Sequence, residues 1–191
     1  MSIMIGVALS ATCGFRVFVP LLAVNIGTRA LDADEQPLIE LADGFDWLSS
    51  DIALIVFLVA TLFEIGGYYI PWIDNLLDTI ASPASIVAGT VITASFVTGM
   101  DPWLQWLLGV IAGGGAAGAV QATTVVARAG STVITGGLGN PIVASVETSG
   151  AFLGAALSIV AVKFAIVLFV LLLGGGVWIW WRRRHKLAEA H

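Results

Sequence analysis

SIMIGVALSATCGFRVFVPLLAVNIGT, residues 2–28, decides how the chain is read. As a helix rising about 1.5 Å per residue, the run is long enough to cross a hydrocarbon core of about 30 Å. Arg16 interrupts it, bracketed by Gly14 and Pro20. A charge at the bilayer centre costs roughly 2.5–3.5 kcal/mol on insertion scales. Arg16 therefore belongs in a protein interior or on a polar path. The neighbouring glycine and proline permit a kink or a broken helix there. No basic residue precedes the apolar run, so it reads as a retained transmembrane segment and not as a cleaved signal.

The remaining sequence has the same character. Of 191 residues, 58% are hydrophobic and 11% charged, with a mean hydropathy of +0.98. A soluble domain carries about 25% charged residues. Lipid as solvent accounts for the difference, and one membrane domain, residues 1–186, is the expected organisation. Glu64, Arg128, Glu147 and Lys163 join Arg16 as charges within or beside apolar runs.

The net charge of −5 averages two segregated groups. Asp32, Asp34, Glu35, Glu40, Asp43, Asp46 and Asp51 gather in and beside an acidic loop over 31–50. Arg182, Arg183, Arg184 and Lys186 crowd a basic tail over 182–191. The positive-inside rule places the tail in the cytoplasm and the acidic loop outside. The expected location is a bacterial inner membrane, crossed several times, with the lipid bilayer as the first partner. The basic run is short and abuts Trp178, Trp180 and Trp181, so nucleic acid is not an expected partner.

The pattern predicts an all-α, polytopic fold of about six spans: 2–28, 52–70, 84–99, 103–127, and two within 142–181. Broken or re-entrant helices are expected near 13–20, 71–83 and 136–150. Pro71 opens a short stretch in which Asp74 and Asp78, four residues apart, share one helix face, and Pro83 starts the third span. An exposed amphipathic helix is the expectation for Asp74 and Asp78. Gly114 and Gly118 form a G-x-x-x-G pair that lets helix backbones approach closely. Asn140 followed by Pro141 is a strong helix start. The chain then runs apolar to Trp181, too long for one span, and a turn near Ser158–Lys163 is expected. Lys163 reads as an interfacial, snorkelling residue.

Thr12-Cys13-Gly14-Phe15-Arg16-Val17-Phe18-Val19-Pro20-Leu21-Leu22, Ile70-Pro71-Trp72-Ile73-Asp74-Asn75-Leu76-Leu77-Asp78 and Asn140-Pro141-Ile142-Val143-Ala144-Ser145-Val146-Glu147 together carry a resemblance. In order and spacing they resemble the bacterial membrane proteins grouped as domain of unknown function 4126. The resemblance covers most of the chain and implies the polytopic fold. It implies no activity. An acidic pair often closes the third motif in that family, whereas here Glu147 is followed by Thr148.

These residues outline a candidate substrate site: Arg16, Glu64, Asp74, Asn75, Asp78, Asn140, Ser145 and Glu147. Arg128 is a possible ion-pair partner for Glu147, and Arg16 for Glu64 or for Asp74 and Asp78. A guanidinium beside a helix break suits a carboxylate or phosphate, and the helix start at Asn140 favours anions. The expectation is a small transporter or permease-like protein, oligomeric or part of a membrane complex, taking an anionic small molecule or a lipid headgroup. The alternative is a non-transporting scaffold or accessory subunit holding partners through its Gly114 and Gly118 face. Cys13 is the only cysteine, and His185 and His191 both lie in the tail. No metal site, cofactor or catalytic pair is therefore expected, and the chain does not read as an enzyme.

Overall fold

The computed structural model describes residues 2–31, 35–70 and 73–160, with the side chain of Asn75 outside that description. Asp32, Asp34, Pro71, Trp72, Lys163, the apolar run beyond Val160 with its expected turn, and the basic tail Arg182–Lys186 also lie outside the described residues. Within them the fold is all-α. Its helices are α1 (Ser2–Thr12), α2 (Phe18–Arg29), α3 (Asp51–Gly67), α4 (Ile73–Ser95), α5 (Pro102–Thr135) and α6 (Asn140–Val160). One isolated bridge, Leu31 to Pro37, is the β-structure among the described residues. Leu76–Ser95, Pro102–Thr135 and Asn140–Val160 are long and apolar enough to cross a membrane, and the protein is membrane-embedded.

The helices are organised for lipid. In α3, Ala53, Phe57, Thr61 and Glu64 are buried, while Ile52 and Phe63 are 77% and 76% exposed. In α6, Asn140, Ala144, Glu147, Ala151 and Ala155 are buried, while Ile142, Val146, Leu153 and Leu157 face outward. The buried positions recur every three or four residues, so each helix turns a small or polar stripe inward. The branched apolar face outward is soluble only in hydrocarbon.

Residues 2–28 do not form the single crossing that their length predicts. Gly6 packs on Phe96, and the Ser10 hydroxyl donates to Gly89 O (2.7 Å) and meets Thr93 Oγ1 (2.8 Å), so α1 runs antiparallel to α4. The α2 start at Val17 and Phe18 meets Glu64, and Asn25 reaches Leu48 O and Ser50 O, so α2 runs antiparallel to α3. Because α3 and α4 are themselves antiparallel, α1 and α2 form a re-entrant hairpin. Its arms of 11 and 12 residues reach about 16–18 Å at about 1.5 Å per residue, roughly half the hydrocarbon core. Both open ends lie on the face that carries the acidic loop. There Ile39 covers Gly27, and the Ala42 N–H donates to Ser95 O (2.8 Å). The break expected near 13–20 is thus a reversal at residues 13–17. Tight bonds from the Cys13, Gly14 and Phe15 N–H groups to Ser10, Ala11 and Thr12 O close α1. A Cβ at Gly14 would lie 2.6 Å from Ala117 O and Gln121 N, so only glycine lets the tip rest on the α5 backbone.

Pro83 lies inside α4 and does not begin a helix. The short 71–83 element and the third span expected from 84 are one helix, ending at Ser95. Proline is tolerated inside a membrane helix that packs against its neighbours. Ser82 donates to Asp78 O (2.7 Å) and Ser85 to Ser82 O (2.9 Å).

The span expected over 103–127 continues to Thr135 and contains a π-helical turn at Gly109–Gly114. A Cβ at Gly109 would lie 2.7 Å from Thr90 O, and one at Gly114 2.7 Å from Thr90 Oγ1. Gly118 lies on Ile86. The G-x-x-x-G face packs α5 on α4 within the chain, the close helix approach that the spacing predicts. Gly136 (φ 64°) and Gly137 (φ 89°) end α5 in left-handed backbone. The region expected to be re-entrant over 136–150 is this short turn, followed directly by α6 from Asn140.

Candidate functional site

The hairpin tip, α4, α5, α6 and the turn after α3 converge on a buried ionic network. Arg16, fully buried, extends from the tip toward α6. Its Nη1 donates to Glu147 Oε2 (2.9 Å) and Phe15 O (2.9 Å), Nη2 to Ala144 O (2.9 Å), and Nε to Thr148 Oγ1 (3.1 Å). The tip is thereby fastened to α6. Gly150 and Gly154, one and two turns further on, leave room for Phe15 and Thr12.

Arg128, from α5, reaches the same carboxylate. Its Nε donates to Glu147 Oε1 (3.1 Å) and its Nη2 to Glu147 Oε2, while Nη1 donates to Asp78 Oδ1 (3.0 Å). Glu147 therefore bridges two guanidinium groups, and Asp78 pairs with the second. The Tyr68 ring underlies both cations, at 4.1 Å from the Arg16 guanidinium carbon and 3.7 Å from that of Arg128. Its hydroxyl donates to Asp78 Oδ1 (3.1 Å). The cation–π contacts matter because this site is desolvated. Asp78 is the most open member, its side chain 17% exposed against 4% for Glu147.

Glu64 is buried beside this network and makes a different contact. Its Oε1 accepts the Val17 N–H (2.7 Å) and its Oε2 the Phe18 N–H (3.1 Å). It caps α2 from across the helix interface, meeting free N–H groups at the positive end of the helix dipole. The expected pairing of Arg16 with Glu64, Asp74 or Asp78 is replaced by Arg16 with Glu147. The expected Arg128–Glu147 pair is present. The tip is long enough for Arg16 to point to α6 while the N–H groups of the next two residues point to α3.

Asp74 and Asp78 do share a face, as their spacing requires, but that face points inward and not to an aqueous surface. Asp74 is buried, and its Oδ2 accepts Asn140 Nδ2 (2.7 Å). Asn140 also donates to Thr132 Oγ1 (3.0 Å), so the starts of α4 and α6 and the end of α5 are tied together. Ser145 lies at the periphery, where its hydroxyl meets Tyr69 OH (2.9 Å) and donates to Pro141 O (2.8 Å).

Tyr68, Thr148 and Thr132 join the site without having been expected in it. Tyr68 reads in sequence as an interfacial aromatic. Thr148 occupies the place where the resemblance leads one to look for a second acid. Here it serves as the acceptor for Arg16 Nε, which a second carboxylate would overload with charge.

In formal charges, the guanidiniums of Arg16 and Arg128 balance Glu147 and Asp78. Glu64 and Asp74 lie at the N-terminal ends of α2 and α4, where helix dipoles favour anions. The arrangement can hold the hairpin tip at depth and exchange ion-pair partners at the half-open Asp78. Beside it, an apolar groove of about 710 Å³ lies between α3 and α4, with Glu64 and Tyr68 in a wall otherwise made of residues such as Phe18, Phe63 and Leu77.

No curated protein and no solved structure matches the chain. The model of one family, described as Domain of unknown function (DUF4126), matches residues 3–182, and with the three motifs now joined at one buried site, the chain belongs to that family.

Proposed function

We propose that this is a small transporter, permease-like, whose site is the Arg16–Glu147–Arg128–Asp78 network. The observation that supports it most is the re-entrant hairpin that carries Arg16 into the buried interior of the bundle. Non-helical backbone at membrane depth is tolerated where it is buried in protein or lines a cavity, and transporter sites recur where discontinuous helices meet near the bilayer midplane. The ligand class is a small anion or an anionic headgroup. It would engage Arg128 in place of Asp78, the network's most open acid, while Arg16 and Glu147 hold the tip. In this reading the acidic 31–50 loop is extracytoplasmic and the basic tail cytoplasmic, in an inner membrane. Ser145 lies outside the ligand's path, and the site performs no catalytic step.

Uptake of labelled inorganic phosphate and of a short dicarboxylate into reconstituted vesicles tests it. Wild-type protein should exceed protein-free vesicles, and Arg16→Ala, with assembly verified by gel filtration, should lose the excess. Unchanged uptake in Arg16→Ala overturns the proposal. A second reading, a membrane scaffold within a homo-oligomer or larger complex, is favoured by the complete internal pairing of both guanidiniums. It predicts no uptake and stoichiometric co-purification of a partner after mild extraction.

A further inference from the structure

We propose that Glu64 is a proton-binding latch, the residue through which a coupling proton releases the hairpin tip. This deepens the transport reading and rests on it for the role of tip movement. Both oxygens of Glu64 are occupied by the Val17 and Phe18 N–H groups, and among the described residues no Lys or Arg lies at ion-pair distance from it. Glu147 and Asp78 are each held by an arginine, and Asp74 by the Asn140 amide. Neutralising Glu64 therefore breaks no ion pair. A proton on either oxygen removes the charge that both N–H groups meet and leaves a poorer acceptor, so the two cap bonds weaken together. Proton binding and the hold on the tip are thereby linked.

Glu64 also lines the groove of about 710 Å³, which extends to Ile70 and Ile73 at the α3–α4 turn. The charged and titratable groups around it are Cys13 and Arg16 on the tip, Tyr68 after α3, Asp78 on α4, Arg128 on α5 and Glu147 on α6. Of these, Asp78 is the competing proton acceptor.

Dicyclohexylcarbodiimide, a lipid-soluble reagent for protonated carboxyls, tests the proton site in purified, reconstituted full-length protein. Mass spectrometry should find the adduct on Glu64. Its rate should fall by up to about tenfold per pH unit once pH exceeds the titration midpoint. Absence of the adduct between about pH 5.5 and about pH 8, or an adduct on Asp78 instead, overturns the proposal. Cys13, the only cysteine and fully buried at the tip, reports the latch. At one fixed pH, Glu64→Gln should raise its alkylation by a maleimide about fivefold, the effect of losing one cap. Wild-type protein carrying the carbodiimide adduct should show the same rise, which covers a variant that fails to fold. An unchanged Cys13 rate in the adduct overturns the latch. None of these readouts needs a substrate. A failed uptake assay therefore counts against transport alone, and an unlabelled Glu64 against the latch alone.

Discussion

Glu147→Gln separates a network that holds the fold from one that merely decorates it. The substitution keeps shape and one acceptor but removes the charge between two buried guanidiniums. Arg16 loses its ionic contact and retains Thr148 Oγ1, Phe15 O and Ala144 O as acceptors. Arg128 loses both ionic contacts to Glu147, keeps at most one neutral acceptor at that position, and retains Asp78. Most of the cost therefore arises at Arg128. Breaking a buried pair from one side costs about 3–5 kcal/mol, because the other charge stays buried. The retained partners place the expected loss near the lower end, at about 3 kcal/mol. Equilibrium unfolding by SDS in mixed micelles, followed by circular dichroism, measures it. In the companion Arg128→Gln background the same substitution should cost at least about 1 kcal/mol less, since the stranded charge is gone. A loss under about 1 kcal/mol for Glu147→Gln alone, or simple additivity in the double variant, would refute the argument.

Two further outcomes follow from the same geometry. Tyr68→Phe removes only the hydrogen bond to Asp78 and should cost about 1 kcal/mol, while Tyr68→Leu also removes the ring beneath both guanidiniums and should cost about 2 kcal/mol more; equal costs in the same SDS titration would show that the ring contacts contribute nothing. For topology, in a Cys13→Ala background, Ser2→Cys and Glu40→Cys should react with an impermeant maleimide from one side of the membrane and Leu138→Cys from the other, whereas a crossing by residues 2–28 would put Ser2 with Leu138.

The sequence carries the site's ingredients more clearly than its wiring. Arg16, Glu64, Arg128 and Glu147 stand out because charges in apolar runs are costly, and the cost is local and additive. The Arg128–Glu147 pair is legible for a further reason: α5 and α6 are joined by a short turn, so residues at similar distances from it meet. The reversal of residues 2–28 is not legible. Its length and hydropathy suit a crossing equally well, and contacts far away in sequence decide otherwise, at Ala117 and Gln121 beneath Gly14 and at Glu64 on the α2 N–H groups. Pro83 misleads for the opposite reason. Its local preference for a helix start is real, but the interior of a packed membrane helix accommodates proline as well.

The hairpin also explains why, among the described residues, several acids are buried with only two cations. A crossing helix satisfies its own backbone, but a reversal inside the bundle leaves the free N–H groups of α2 in a buried interior. Glu64 meets that demand, and its oxygens are held by backbone N–H groups and not by an arginine. Arg16 is then free to pair with Glu147, which brings Arg128, which in turn brings Asp78 and the Tyr68 ring. The whole polar interior can be traced to one decision, the turn at Gly14. A ligand that takes Asp78's place on Arg128 leaves Arg16 on Glu147, so in the transport reading the site fills while the tip stays held, and release of the tip is a separate event at Glu64.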